Sequence, residues 1–189
     1  MNCGSCDDKA CYQGKDCFKL ADKMKKIELA PEALKLMKVA SEIESEYYMK
    51  STRLEELILF SQKMGYAKIG LAFCIGLSEE AGCLEKILKK RFRVFSVCCK
   101  IGGIDKKTYE LPQIKCQRYE AMCNPIGQAM FLNEQKVDLN VTCGLCIGHD
   151  LLFGQNSQAP VTAFIVKDRV LAHNPAGALY SNYHRKKFL

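Results

Sequence analysis

Cys3, Cys6, Cys11 and Cys17 open this chain in a C-x2-C-x4-C-x5-C run. Four thiols on so short a segment point to a tetrahedral metal centre, since soft sulfur ligands select zinc and iron–sulfur clusters alike. The segment has little else to hold it. It contains Gly4, Gly14 and five charged residues before Cys17, with almost no aliphatic side chain to bury. Cys3, Cys6, Cys11 and Cys17 are therefore expected to be metal ligands, and zinc or an iron–sulfur cluster the cofactor.

Eight further cysteines lie at 74, 83, 98, 99, 116, 123, 143 and 146. Cys83, between Gly82 and Leu84 in a helical stretch, reads as a packing residue, because free cysteine behaves as a small hydrophobe in cores. Cys116 sits in a polar stretch and is incidental on this reading. Cys123 precedes Asn124-Pro125, a capping residue followed by proline at the first helical position, and a helix N-terminus favours thiolate. Cys143-Gly144-Leu145-Cys146-Ile147-Gly148-His149 brings two thiols and an imidazole within seven residues. A c-type haem attachment would place the histidine directly after the second cysteine, so that chemistry is disfavoured. His173 reads as a turn residue and His184 as part of the tail.

The elements that must position these groups follow from periodicity. Ala33, Leu36, Met37, Ala40, Ile43 and Tyr47 repeat at helical spacing over Pro31 to Tyr48. Thr52-Arg53-Leu54-Glu55 has the form of a capping box, Leu54, Leu57, Ile58 and Met64 continue the stripe, and Gly65 suits a C-terminal stop. Residues 67–74 read as a buried strand, 78–90 as a helix and 92–98 as the next strand, a βαβ unit that makes a parallel pair. A polar, irregular stretch over 102–118, a helix over 125–134, a strand over 137–143, a short helix over 150–153 and a strand over 161–166 complete the pattern. The fold class is α/β: a small, doubly wound, mainly parallel sheet with an N-terminal cysteine knuckle (1–20), two covering helices (21–65) and the α/β unit proper (66–189).

On this layout Cys74, Cys98, Cys99, Cys143 and Cys146 fall at strand ends and Cys123 at a helix start. In open parallel sheets ligands bind beyond the carboxyl ends of the strands, where loops and helix N-termini converge. Cys98 and Cys99 alternate faces, so one at most enters a shared site; Cys98 is the one expected. The expected edge site is Cys74, Cys98, Cys123 and Cys146 as cofactor-binding thiols, with Cys123, Cys146 and His149 as catalytic groups.

The formal charge is +7, but its basic residues are scattered, with denser runs only at Lys89-Lys90-Arg91-Phe92-Arg93 and Arg185-Lys186-Lys187. Nucleic acid is thus not an expected partner; a small molecule or a metal is. No stretch approaches the roughly 18 apolar residues of a membrane span. The N-terminus shows no basic region followed by an apolar one, as secretion would require, so the reducing cytoplasm is the expected compartment. Oxygen-poor habitats would suit so many free thiols. No GxGxxG or P-loop pattern supports a nucleotide.

The segments GLAFCIGL at 70–77, SVCCKIGG at 96–103, MCNPIGQA at 122–129, GLCIGHDLLF at 144–153 and APVTAFIVKDRVLAHNP at 159–175, together with the N-terminal run, resemble a cysteine-rich family of anaerobic bacteria and archaea. That family is catalogued as a domain of unknown function, with metal binding ascribed to it from its cysteines. The resemblance implies roles for Cys74, Cys98, Cys99, Cys123, Cys146 and His149, and does not extend to Cys143. The function expected is that of a cytoplasmic metalloprotein whose second, thiol-lined site carries redox or sulfur chemistry on a small molecule. A non-catalytic metal-binding or carrier module, and a metal-free thiol oxidoreductase built on Cys123 and a resolving neighbour, are the alternatives.

Overall fold

A computed structural model describes residues 2–189. After short 3-10 turns at Cys3–Ser5 and Ala10–Gln13 come α1 (Ala21–Lys25), α2 (Pro31–Tyr47) and α3 (Arg53–Met64). The α/β part follows as β1 (Lys68–Phe73), α4 (Ser78–Leu88), β2 (Arg93–Cys98), α5 (Pro125–Glu134), β3 (Leu139–Cys143), α6 (Ile147–Asn156) and β4 (Val161–Ile165). Two short helices, α7 (Gly177–Tyr180) and α8 (Asn182–Arg185), end the chain. The sheet order is β2-β1-β3-β4, every pairing parallel. The chain thus winds outward from β1 to β2, returns past it to β3 and continues to β4, which is the doubly wound topology expected.

Each sheet face buries its own apolar set. Ile69, Leu71, Leu139 and Val141 pack with Leu57 of α3 and Ala81, Leu84 and Leu88 of α4 on one face. Ala72 and Val97 pack with Ala129 and Leu132 of α5 and Phe153 of α6 on the other. Strand side chains alternate faces, so the two sets interleave and the central strands β1 and β3 are buried from both sides, whereas the edge strands β2 and β4 are only partly covered. The Thr52–Glu55 capping box is present, and Gly65 ends α3 at φ 78°. Lying over α3, α2 buries Val39 and Ile43 against Met64. Met37, placed on the buried stripe by spacing, is 57% exposed.

Some boundaries move. Ile147–Asn156 forms a full helix where only 150–153 was expected, because Cys146 caps it without the Ser, Thr, Asp or Asn that usually marks a start, and Gly148 and Gly154 dilute its pattern. The 102–118 stretch holds a 3-10 turn at Lys106–Tyr109, and an antiparallel bridge pairs Asp105 with Ala121 beyond it. None of the residues from 2 to 30 is buried. Among the described residues no helix is long and apolar enough to cross a membrane.

One backbone position is sterically fixed. A Cβ on Gly70 of β1 would run into Oδ1 of Asn140, the residue facing it across the β1–β3 pair, and would stand 3.1 Å from Leu132 Cδ1. Asn140 is fully buried and its Nδ2 donates to Ser157 Oγ at 2.8 Å. Gly70→Ala is expected to cost about 1–3 kcal/mol by overpacking, lowering the melting temperature roughly 2–4 °C per kcal/mol. Calorimetry of the variant checks this; an unchanged melting temperature would show that Asn140 can turn away freely.

Candidate functional site

The sheet's two faces sort the thiols at its carboxyl edge. Cys98 and Cys143 both pair with Phe73, and in a parallel sheet residues in register share a face. That face belongs to α3 and α4, where Cys143 is fully buried. One residue on, the ladder continues through Cys74 N to Cys143 O at 3.1 Å and Cys99 N to Phe73 O at 2.8 Å. Cys74 and Cys99 therefore turn to the opposite face, toward α5 and α6. Both are buried.

The starts of α5 and α6 meet them there. Asn124 caps α5, its Oδ1 accepting from Gly127 N, while its own N–H donates to Cys99 O at 2.8 Å. This bond ties the α5 start to the end of β2 and sets Cys123 beside Cys99. On β3 the chain passes through Gly144 at φ 68°, where a side chain would collide with Leu77, and Cys146 then caps α6. His149 lies in the first turn of α6, its N–H donating to Cys146 O at 2.8 Å. The buried Gln128 of α5 fastens the helix to the sheet end, its Nε2 donating to Val97 O at 2.8 Å and Phe73 O at 3.2 Å.

Two cations reach into the thiols. Lys100 Nζ donates to Ala121 O at 2.6 Å and to Cys123 Sγ at 3.4 Å. Arg169, from the loop after β4, donates to Cys146 Sγ at 3.0 Å. The guanidinium also feels the charges of Cys74 and Cys123, and its own ionisation is held up chiefly by the hydrogen bond to Cys146.

Electrostatics separate the members of the set. The Cys123 thiol is pulled down to about 5, first by the hydrogen bond it accepts from Cys99 and then, against some desolvation, by Lys100 and by the charge of His149. Cys99 moves the opposite way. Its thiol is driven up by donating to Cys123 and by burial, while Ile75 N–H, 3.4 Å from its sulfur, works against the rise. The two shifts run in opposite directions, favouring thiolate at Cys123 and thiol at Cys99. Cys143 is pushed up to about 11, mainly by burial.

Residues 11–164 match the profile of a family described as "Protein of unknown function (DUF1847)". The chain belongs to this family. It is 56% identical over 190 residues to a protein of Methanocaldococcus jannaschii, "Uncharacterized protein MJ0455", with 100% of this chain and 98% of that one covered. No solved structure matches it. The DUF1847 stretch takes in Cys74, Cys99, Lys100, Cys123, Cys146 and His149, whereas Cys3, Cys6 and Arg169 lie outside it.

Within this DUF1847 fold the expectation for Cys98 is corrected. Its sulfur accepts from Lys100 N at 3.5 Å on the α4 side, and Cys99 takes its place beside Cys123. The strand ends at Cys98 as expected, but successive residues alternate faces and it is the Cys99 face that meets α5. Lys100 and Arg169 were missed altogether. Lys100 follows the Cys98-Cys99 pair directly, which was the signal available, but Arg169 lies 23 residues beyond Cys146 and had none.

Of the N-terminal thiols, Cys3 and Cys11 are exposed and Cys6 and Cys17 partly so. Among the described residues no three His, Cys, Asp or Glu side chains gather closely enough to hold one metal ion, at either end of the molecule. A groove of about 710 Å³ runs between α2, α3 and β4, lined by residues such as Leu36, Phe60 and Val161 and by no cysteine.

Proposed function

We propose that this DUF1847 protein carries out two-electron thiol chemistry on a small molecule at the carboxyl edge of its sheet. Cys123 is the nucleophile and Cys99 the resolving thiol. The observation that supports this most is Lys100 Nζ 3.4 Å from Cys123 Sγ, with Cys99 held next to it by the Asn124 N–H bond to Cys99 O. A sulfur held as thiolate near neutral pH and next to a second thiol is the arrangement that disulfide exchange needs.

The steps balance as follows. The Cys123 thiolate attacks one sulfur of a substrate S–S bond, forming a mixed disulfide and expelling the other half as thiolate. Cys123 then no longer accepts the Cys99 hydrogen bond as an anion, which removes the largest influence holding Cys99 protonated. Cys99 attacks the Cys123 sulfur, the second substrate thiol leaves, and the Cys99 proton goes out with the products. Two electrons pass from the pair to the substrate, and an internal Cys99–Cys123 disulfide remains. Mapping of disulfides after anaerobic reaction with bis(2-hydroxyethyl) disulfide tests it. A Cys99–Cys123 bridge is expected, while adducts confined to other cysteines would overturn the assignment.

A second reading concerns the first seventeen residues, where Cys3, Cys6, Cys11 and Cys17 would hold zinc or an iron–sulfur cluster. Two observations favour it: Cys6 Sγ accepts from Lys9 N at 3.4 Å, the amide–sulfur contact that stabilises a thiolate ligand, and nothing in the segment is buried to hold it otherwise. The four thiols would have to draw together on binding, so metal and local order are coupled. Elemental analysis of anaerobically purified protein is expected to give about one zinc site or cluster per chain, lost when all four are replaced by Ser. A metal content that survives the replacement would place the metal elsewhere.

A further inference from the structure

We infer that the edge site selects anionic substrates, small molecules bearing negative charge beside an S–S bond; this rests on the dithiol reading above. The inference comes from the cations that surround the thiols and from what they lack. Lys100 and Arg169 turn their charged ends to Cys123 and Cys146, and neither is in an ion pair among the described residues. One fixed positive charge thus faces the Cys123 sulfur and another the Cys146 sulfur. Lys167 adds a third at the same edge: its side chain lies across Gly76 and Gly144, with Nζ 3.4 Å from where a Gly76 Cβ would stand. The charges of Lys167 and of the carboxylate Glu80 both fall on the buried Cys143 and oppose each other there.

The partners of Lys100 and Arg169 are sulfurs and a carbonyl oxygen, which leaves positive potential at this edge. Ile75, 52% exposed, lies in the 3-10 turn after β1, and Ile147, 79% exposed, begins α6. The edge therefore combines exposed apolar side chains with cations, which suits a short organic acid or a polysulfide anion. Cationic walls raise the local concentration of an anion and its encounter rate by roughly tenfold or more at low ionic strength.

Three aliphatic disulfides of similar size test this: 3,3′-dithiodipropionate as dianion, bis(2-hydroxyethyl) disulfide as neutral and cystamine as dication. Intrinsic chemistry favours cystamine, whose leaving thiol is the most acidic of the three. The expected order at Cys123 is the reverse, with the dianion at least about tenfold faster than the neutral compound at low salt and the advantage shrinking as salt is added. In Arg169→Gln and in Lys167→Gln the dianion-to-neutral ratio is expected to fall by severalfold. If Cys123 reacts with all three in leaving-group order and the ratio is unmoved by salt or by either variant, the anion inference is overturned while the dithiol reading stands. If none of the three yields a Cys99–Cys123 bridge, the dithiol reading itself fails.

Discussion

Alkylation of the reduced protein with iodoacetamide at pH 5.5 is expected to modify Cys123 roughly 40-fold faster than an unstructured peptide thiol, and near pH 7 at about the same rate. Two effects oppose each other. Lowering the thiol from 9.0 to about 5 raises the thiolate fraction at pH 5.5 by a factor of about 2,000, but intrinsic nucleophilicity falls with basicity by a factor of about 60. Near neutral pH the gain in fraction is only about 100, so the advantage nearly vanishes. The sign is fixed by the direction of the shift: the thiolate forms as pH rises through about 5, so the rate climbs there, is flat above about 6 and is lost on acidification. Peptide-resolved mass spectrometry over pH 4–9 reads the profile. A midpoint above about 7.5 would remove the basis for Cys123 as nucleophile. Lys100→Gln is expected to move the midpoint upward, since the ammonium favours the anion by charge and hydrogen bond.

Cys99→Ala is expected to stop the reaction halfway. Wild-type protein should release both halves of bis(2-hydroxyethyl) disulfide per chain and end with an internal bridge. The variant should release one half and retain the other as a mixed disulfide on Cys123, visible as a stable mass increment. Its alkylation midpoint should also rise, because the Cys99 hydrogen bond is the largest influence holding Cys123 ionised. Cys74 is buried nearby and Cys146 is engaged by Arg169, so neither is expected to substitute. A variant that still forms an internal bridge at the wild-type rate would assign resolution to one of them. Cys123→Ser, in contrast, should leave no adduct at all in this pair.

Local chemistry was enough to place most elements from the sequence. The Thr52–Glu55 capping box and Gly65 bound α3 through contacts made within a few residues, and Asn124-Pro125 start α5 the same way. Apolar runs bounded by turn residues identify parallel strands, and strand–helix alternation identifies their winding, because a chain that buries both sheet faces has few other arrangements. That several cysteines share the carboxyl edge follows from topology alone. What only the tertiary structure decides is which thiols meet there. A side chain's face flips with every residue, so the choice of Cys99 over Cys98 depends on where the ladder to Phe73 ends, and hydrogen bonds to neighbouring strands set that point. The role of Cys146 as the cap of α6 depends on a turn at Gly144 made against Leu77. The charge of the site depends on Arg169, delivered by a loop with no sequence link to the cysteines it faces. The sequence by itself determines the fold and the edge, since both follow from periodicities inside single segments. The identity of the reactive pair and its cationic surroundings is fixed only where separate segments touch.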